Sequence, residues 1–494
     1  MALGNLTTQN PWWIDEKAIQ TDRYIVQFEQ SALKWIPRLA HSFDMNSDAV
    51  HTLRGPRQVG KTTLLKLLIS SLVERGTSAR RLFYWTCDLV EGPKALVELV
   101  ETYLSFSRDF ADERRYVFLD EISAVKDWQR GVKFLHDTGR LENTTVIMTG
   151  SHSLDIRTAA ERLPGRRGTG AGPFDKVLMP MKFAEYVETR DKVLRERLSS
   201  LRLISLEDRK QIIKQLAQGG IPRALEELML QSSELSSYLD DYLLTGGIPR
   251  AVDDYLRLGS IRQETYSTYV QVTLGDMLRW EKRETYLAQV LRSVIDTLGT
   301  PVSWRTLQKD TDIGHPATIA EYVDALKSSF ILSPIYVLDR GRDAPSYRKE
   351  KKIHFRDPFI FHALRGWANQ YSSYQEALNY LTGQGKPRIL ESVVCDHLSR
   401  LAYDLHPTDE FEPVNRLFYW KSASNEVDFV LRFEEAYLPI EVKYTSSLSR
   451  RDINGLYSFT RPNSGQKGLV LTKDLLRADE DIVALPAFLF LTLV

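Results

Sequence analysis

The chain is 494 residues long, which at roughly 150 residues per domain predicts about three domains. Hydrophobic residues make up 43% and charged residues 26%, globular proportions that exclude a disordered or fibrous chain. Lys plus Arg (65) equals Asp plus Glu (65), so no global field attracts nucleic acid or anionic membrane, and any polyanion site must be a local basic cluster.

Two cysteines, Cys87 and Cys395, lie far apart in sequence and fit neither a disulfide framework nor a zinc site, which points to a reducing cytosol. The opening MALGNLTTQNPWWIDEK lacks the basic start and apolar core of a signal peptide. No uncharged apolar run reaches the roughly 18 residues of a spanning helix. The expectation is a soluble, cytoplasmic protein. The longest apolar candidate, Ala484–Val494, contains Pro486 and reads as a buried terminal strand.

In chain order, residues 1–45 read as an amphipathic helical segment, with Tyr24, Phe28, Leu33, Trp35 and Ile36 at near-helical spacing. Trp12 and Trp13 before it are expected to pack on the neighbouring domain. Residues 46–190 alternate apolar runs with helical stretches. Candidate strands are Val50–Arg54, Leu82–Thr86, Tyr116–Leu119 and Val146–Thr149, a pattern that predicts an α/β parallel sheet. Residues 191–264 are helical and hold the one clear repeat, GGIPRA, at Gly219–Ala224 and Gly246–Ala251. Residues 265–356 read as helices followed by a short hairpin, and 357–494 as helix followed by several strands.

Gly55-Pro56-Arg57-Gln58-Val59-Gly60-Lys61-Thr62 fits G-x-x-x-x-G-K-[ST] without a mismatch, after a strand and at the start of a helix that continues through Thr63. That context places backbone N–H groups and a helix N-terminus around the phosphates of ATP. Lys61 is expected to reach the outer phosphates and Thr62 to ligate Mg2+. A second strand ends in Asp120 and Glu121. Asp120 is expected to hold the magnesium shell and Glu121 to act as general base on the attacking water.

A third strand, VIMTGS, ends in Ser151, a position similar to the polar sensor of AAA-type ATPases. Arg162, Arg166 and Arg167 in ERLPGRRG are candidates for an arginine finger, with Arg166 and Arg167 equal choices. A solvated loop that merely contains arginines is the alternative.

Together GPRQVGKTT, YVFLDEIS, VIMTGS, LPGRRG and LMPMKFAEYVE resemble an AAA-superfamily ATPase family common in archaea and bacteria. Its members carry a C-terminal domain of unknown function, number 4143. The resemblance implies a P-loop ASCE/AAA+ parallel-sheet core with a helical lid. It also implies a GGxP segment that contacts nucleotide, similar to an element of related signalling ATPases. The second copy lies at the more family-like distance, which makes Gly247 and Pro249 the candidates, but the duplication leaves the choice between copies open. Fingers of this class often act across a subunit boundary, so the resemblance also implies a homo-oligomer such as a ring.

Val302–Leu307 and Pro316–Ser329 read as helix, turn, helix, and a hairpin follows them. Arg340, Arg342, Arg348, Lys349, Lys351 and Lys352 between or beside its strands give a winged helix with a basic wing suited to DNA phosphates. A pure assembly role stands beside that reading. Further on, Glu391 lies on an amphipathic helix, and EVDFVLRF and YLPIEVKY carry Asp428, Glu441 and Lys443. Strand alternation puts Asp428 opposite in sense to Val427 and Phe429, and lets Glu441 and Lys443 project together.

Two converging carboxylates and a lysine predict a hard-metal site of Asp428 and Glu441, completed by Glu391, with Lys443 orienting water. Helix Glu, strand Asp and E-x-K resemble the PD-(D/E)XK nuclease superfamily, which implies a restriction-endonuclease-like C-terminal α/β domain. Inherited structure without activity is the alternative. The leading expectation is an ATP-hydrolysing, DNA-binding motor or switch with a metal-dependent nuclease-like domain. A nucleotide-gated interaction or signalling ATPase that does not cleave is the runner-up.

Overall fold

The computed structural model describes residues 6–150, 167–168, 173–371, 373–407, 411, 413–461 and 467–494. It divides into two compact units, Met1–Met179 and Pro180–Val494.

The first unit is built on five strands, β1 (Val50–Arg54), β2 (Leu82–Thr86), β3 (Arg115–Asp120), β4 (Thr144–Gly150) and β5 (Asp175–Val177). They form one sheet in the order β2-β3-β4-β1-β5, and all four pairings are parallel. β1, β3 and β4 are buried along their whole lengths, as central strands of a parallel sheet are, with the polar His51, Thr52 and Arg54 of β1 among the buried residues. Because β4 lies between β1 and β3, the carboxyl ends of these three strands converge where ligands bind in open α/β sheets. This is the sheet expected of a P-loop AAA+ core.

The N-terminal segment departs from the helix expected up to residue 45. Its described residues include the α-helix α1 (Arg23–Gln30) and short 3-10 turns at Pro11–Trp13, Glu16–Thr21 and Arg38–Ser42. Asp15 and Asp22 accept from backbone N–H groups two residues on, and Pro11 and Pro37 interrupt helical bonding. Its role is to cover the open edge of β2. Trp12 and Trp13 each donate Nε1–H to the Leu82 carbonyl, at 3.1 and 2.8 Å. Asn10 bonds both backbone groups of Tyr84, and Gln9 accepts from the Thr86 N–H. Side chains thus satisfy backbone groups that an edge strand leaves unpaired. After β1 the chain enters helix α2 (Lys61–Glu74).

The second unit begins with helices between Phe183 and Ser328. The expected helix-turn-helix is present as Trp304–Gln308 and Pro316–Ser328. Eight strands follow in the chain: β6 (Leu332–Asp339), β7 (Ala344–Phe355), β8 (Leu417–Lys421), β9 (Glu426–Phe433), β10 (Ala436–Val442), β11 (Gly468–Thr472), β12 (Arg477–Ala478) and β13 (Ile482–Pro486). They form a mixed sheet in the order β12-β13-β11-β10-β9-β8-β6-β7. The β6–β7 hairpin is not a free wing. β6 pairs in parallel with β8, so the hairpin forms one edge of the C-terminal sheet. Leu338 shares a core with Phe418, Val427, Val430, Leu456 and Val470, which is why the expected break near residue 356 does not separate two cores.

Helix α3 (Lys386–Leu405) precedes β8, and β9 and β10 form the expected tight hairpin. Helix α4 (Arg450–Thr460) then leads to β11, which is parallel to β10. The apolar terminus is strand β13 and then a buried helix, α5 (Ala487–Leu493). The strand expectation fails after Pro486. Pro486 caps a run of Ala, Leu and Phe that has no β-branched residue before Thr492, so helix is the easier course. Among the described residues, no helix is long and apolar enough to cross a membrane.

The two GGIPRA copies have different surroundings. Gly219 (φ +91) ends a helix, and a Cβ on Gly220 would meet only the Gln215 carbonyl at 3.6 Å. In the second copy a Cβ on Gly246 (φ +58) would strike the Asp357 carboxylate, and one on Gly247 would lie 2.2 Å from the Met181 carbonyl. Gly247→Ala is therefore expected to destabilise the protein by about 1–3 kcal/mol through overpacking. Gly220→Ala is expected to be neutral or to stabilise by about 0.4–1 kcal/mol. Urea denaturation of the two variants checks the contrast.

Candidate functional site

The loop after β1 runs into α2, the helix expected to follow the phosphate-binding motif. Gly60 caps it at φ +102, and Gln58 also has positive φ (+62). A Cβ on Gly55 would lie 2.0 Å from the Leu178 carbonyl, so only glycine allows the loop to leave β1 there. The buried Lys61 ammonium lies back over the loop, donating to the carbonyls of Gly55 and Pro56, both at 2.9 Å. Val59 is buried and anchors the turn.

Asp120, at the end of β3, joins the parts. Its Oδ2 accepts from the Thr62 hydroxyl at 2.7 Å and the Tyr84 hydroxyl at 3.0 Å, and its Oδ1 accepts from Thr149 Oγ1. Thr149 Oγ1 in turn accepts from the Glu121 backbone N–H at 3.1 Å. Glu121 stands at φ +51, a left-handed conformation that costs a non-glycine residue about 1–3 kcal/mol and concentrates at functional sites. Burial and the adjacent Asp120 hold the Tyr84 hydroxyl far above its ordinary range, so it remains a donor.

Behind Tyr84 the buried Lys66 ammonium lies 3.5 Å from the ring centroid and 3.1 Å from Asp22 Oδ2. A hydroxyl and a carboxylate oxygen side by side are hard donors, so Thr62 and Asp120 fit magnesium.

Arg167 does not have the freedom of a finger. Its guanidinium meets Asp175 Oδ2 at 2.5 Å and donates to Thr52 Oγ1 at 3.1 Å, which ties it to β1 and β5 of its own sheet. Ser151, Arg162 and Arg166 lie outside the described residues.

In the second unit the expected acidic constellation does converge. Glu391 projects from α3, while Asp428 and Glu441 come from β9 and β10. Lys443 Nζ is 2.6 Å from Glu441 Oε1 and 3.9 Å from Asp428 Oδ2. The unexpected member is Lys352. Its ammonium lies 2.8 Å from Asp428 Oδ1, 2.8 Å from Glu426 Oε1 and 3.2 Å from Glu391 Oε1.

Burial opposes the Lys352 charge, but Asp428, Glu391 and Glu426 outweigh it and hold the pKa well above normal. Burial also works against the Asp428 carboxylate, and Lys352 and Lys443 outweigh it to keep that group below its ordinary range. For Glu391 and Glu441 burial prevails and raises both, with Asp428 adding to the effect. His354, fully buried beside them, is pushed down to about 3 by burial and Lys352. Among the described residues, no group of three or more His, Cys, Asp or Glu is arranged to hold a metal ion. The donor set does not fit magnesium, because an ammonium already stands among the carboxylates.

Residues 47–187 match a family described as AAA domain, 236–371 one described as domain of unknown function 8612, and 386–490 one described as domain of unknown function 4143. The chain carries an AAA domain and a C-terminal DUF4143 domain. No curated protein matches it. Among solved structures, a Walker-type ATPase of Pyrococcus abyssi is 16% identical, covers 71% of this chain and 97% of that one, and has a TM-score of 0.37. ORC1 of Aeropyrum pernix in complex with DNA is 12% identical, with 72% and 95% covered and a TM-score of 0.28. RuvB of Thermotoga maritima is 15% identical, with 67% and 89% covered and a TM-score of 0.24. Scores this low carry no argument about what the chain binds.

In the AAA domain the structure brings together Thr62, Asp120 and Glu121, and it adds Tyr84 and Thr149. In the sequence Thr149 stands out only as the last polar residue of an apolar strand. Gly247 has both backbone groups engaged within the second unit: its N–H donates to Asp357 Oδ2 at 2.8 Å and its carbonyl accepts from the Met181 N–H at 2.9 Å. Pro249 opens the helix Pro249–Leu258. The basic set of the supposed wing is dispersed. Lys351 lies over the Trp304 ring, Lys352, within the segment matched by domain of unknown function 8612, reaches the carboxylates of the DUF4143 domain, and Arg340 donates to the Phe459 carbonyl. Arg342, Arg348 and Lys349 are exposed.

Thr149→Val removes the hydroxyl that positions both acids. It is expected to lower kcat for ATP by up to about 10²-fold with little change in nucleotide affinity. Steady-state kinetics and calorimetric titration with Mg-ATP separate the two quantities.

Proposed function

We propose that this protein is a nucleotide-gated switch: its AAA domain hydrolyses ATP, and its second unit binds a partner without cutting it. The observation that carries the catalytic part is the Asp120 carboxylate bonded at once to Thr62 and Thr149, with Thr149 holding the Glu121 backbone. The Gly55–Thr63 turn and Lys61 would hold the triphosphate, and Thr62 and Asp120 would hold magnesium. Magnesium held there would supply positive charge against the phosphate oxygens. Glu121 takes the proton of the attacking water as its oxygen bonds to the γ-phosphorus. The bond from phosphorus to the bridging oxygen breaks, and ADP leaves with that electron pair.

Lys61→Ala and Glu121→Gln are each expected to reduce ATP hydrolysis by about 10²-fold or more. Glu121→Gln should retain Mg-ATP binding by calorimetry. Normal turnover in either variant would overturn the assignment.

For the partner, the three exposed cations Arg342, Arg348 and Lys349 support binding to DNA phosphates at the end of the β6–β7 hairpin. Replacing all three by alanine should reduce the slope of log affinity against log salt by about 0.9 for each duplex phosphate that is no longer neutralised. An unchanged slope would remove the hairpin from the DNA interface and leave a protein partner as the occupant of this face.

A further inference from the structure

The DUF4143 cluster has the residue types of a divalent-metal site and the bonding of something else. An ammonium has three N–H groups, and Lys352 donates to Asp428 Oδ1 and Glu391 Oε1 and forms an ion pair with Glu426 Oε1 at 2.8 Å. Its side chain is 1% exposed, so these partners replace the water the ion has given up. Two other oxygens of the cluster are also engaged. Asp428 Oδ2 accepts from the Val442 N–H at 3.0 Å, and Glu441 Oε2 accepts from the Asp428 N–H at 3.2 Å. Glu441 Oε1 meets Lys443.

The position of Lys352 is fixed by its strand. Lys352 is paired with Ile335 across the β6–β7 ladder, and β6 is held to β8. Removing the ammonium from the cluster means either breaking that register or finding another buried place for a charge. On the helix side, Gly299 closes over Glu391: a Cβ there would lie 2.8 Å from Glu391 Oε2. A divalent ion requires several oxygen ligands at about 2.0–2.6 Å with their lone pairs turned inward. Here the inward position carries a positive charge already, with the Lys443 ammonium close by.

We infer that Lys352 is a resident cation that substitutes for a divalent metal, so that the DUF4143 cluster takes no magnesium or manganese and joins the β6–β7 hairpin to the β9–β10 hairpin and its Glu-bearing helix. The cluster is a charge-paired junction between elements distant in sequence. It has no open ligand position on which to activate water, so metal-dependent phosphodiester cleavage is not among its activities.

Manganese titration of the nucleotide-free full chain, read from the paramagnetic resonance of the free ion, tests this. The wild type is expected to bind no manganese that Asp428→Asn abolishes. Lys352→Met, which keeps the aliphatic stem and removes the charge, is expected to gain one manganese ion dependent on Asp428 and to bind it at least tenfold more tightly than any site in the wild type. One wild-type ion lost in Asp428→Asn would overturn the inference. A folded Lys352→Met protein with no gain would overturn Lys352 as the excluding group. Should Lys352→Met not fold, Lys352→Gln takes its place, and the wild-type comparison with Asp428→Asn decides on its own. None of these measurements uses nucleotide, so their outcome is separate from that of the ATP-hydrolysis assays.

Discussion

A single buried carboxylate organises the AAA domain. Asp120 stands at the end of β3 with three hydroxyl groups turned towards it, one from the phosphate loop, one from β2 and one from β4. A buried charge without partners is strongly unfavourable, and a charge-assisted hydrogen bond is about twice as strong as a neutral one. The same interactions that make the burial of Asp120 tolerable also set the separation of the loop from Glu121. The strand order makes this possible, because β4 lies between β3 and β1 and brings Thr149 within reach of both acids.

The second unit uses charge differently. Three cations there are turned inward and matched: Lys352 by three carboxylates, Arg400 by Asp396, and Arg356 by the same Asp396 from another side. Breaking such a pair leaves the survivor buried and uncompensated, which is more damaging than never having formed it. Few cations of this unit's hairpin are left for an outside polyanion.

Much of the AAA domain is legible in the sequence. Four strand intervals coincide with or fall inside the observed ones, because short runs centred on apolar residues alternate with helical stretches and end at turn formers. The phosphate loop is legible because its glycines and lysine answer to a geometric need. The convergence of Glu391, Asp428, Glu441 and Lys443 follows from strand alternation and a tight hairpin. The failures at the N-terminal segment and after Pro486 are local, whereas that of the wing comes from pairing over long sequence separations. RKEKK in β7 reads locally as a solvated charged edge. Only its alignment with β6, and that of β6 with β8, sends Lys352 into the acids while Lys351 lies over Trp304. A one-residue slip would reverse those faces, and no local pattern fixes the register. Arg167 is similar, since nothing near it in sequence announces Thr52 on β1, 115 residues away.

The repeated hexapeptide turns the second unit into its own experiment. Gly-Gly-Ile-Pro-Arg-Ala occurs twice within one polypeptide, once as a roomy helix ending and once wedged against the Met181 backbone and Asp357. Composition, intrinsic propensity and expression conditions are identical for both by construction. Any disparity in how the twins accept the same substitution therefore measures neighbourhood alone, and the molecule contains its own matched control.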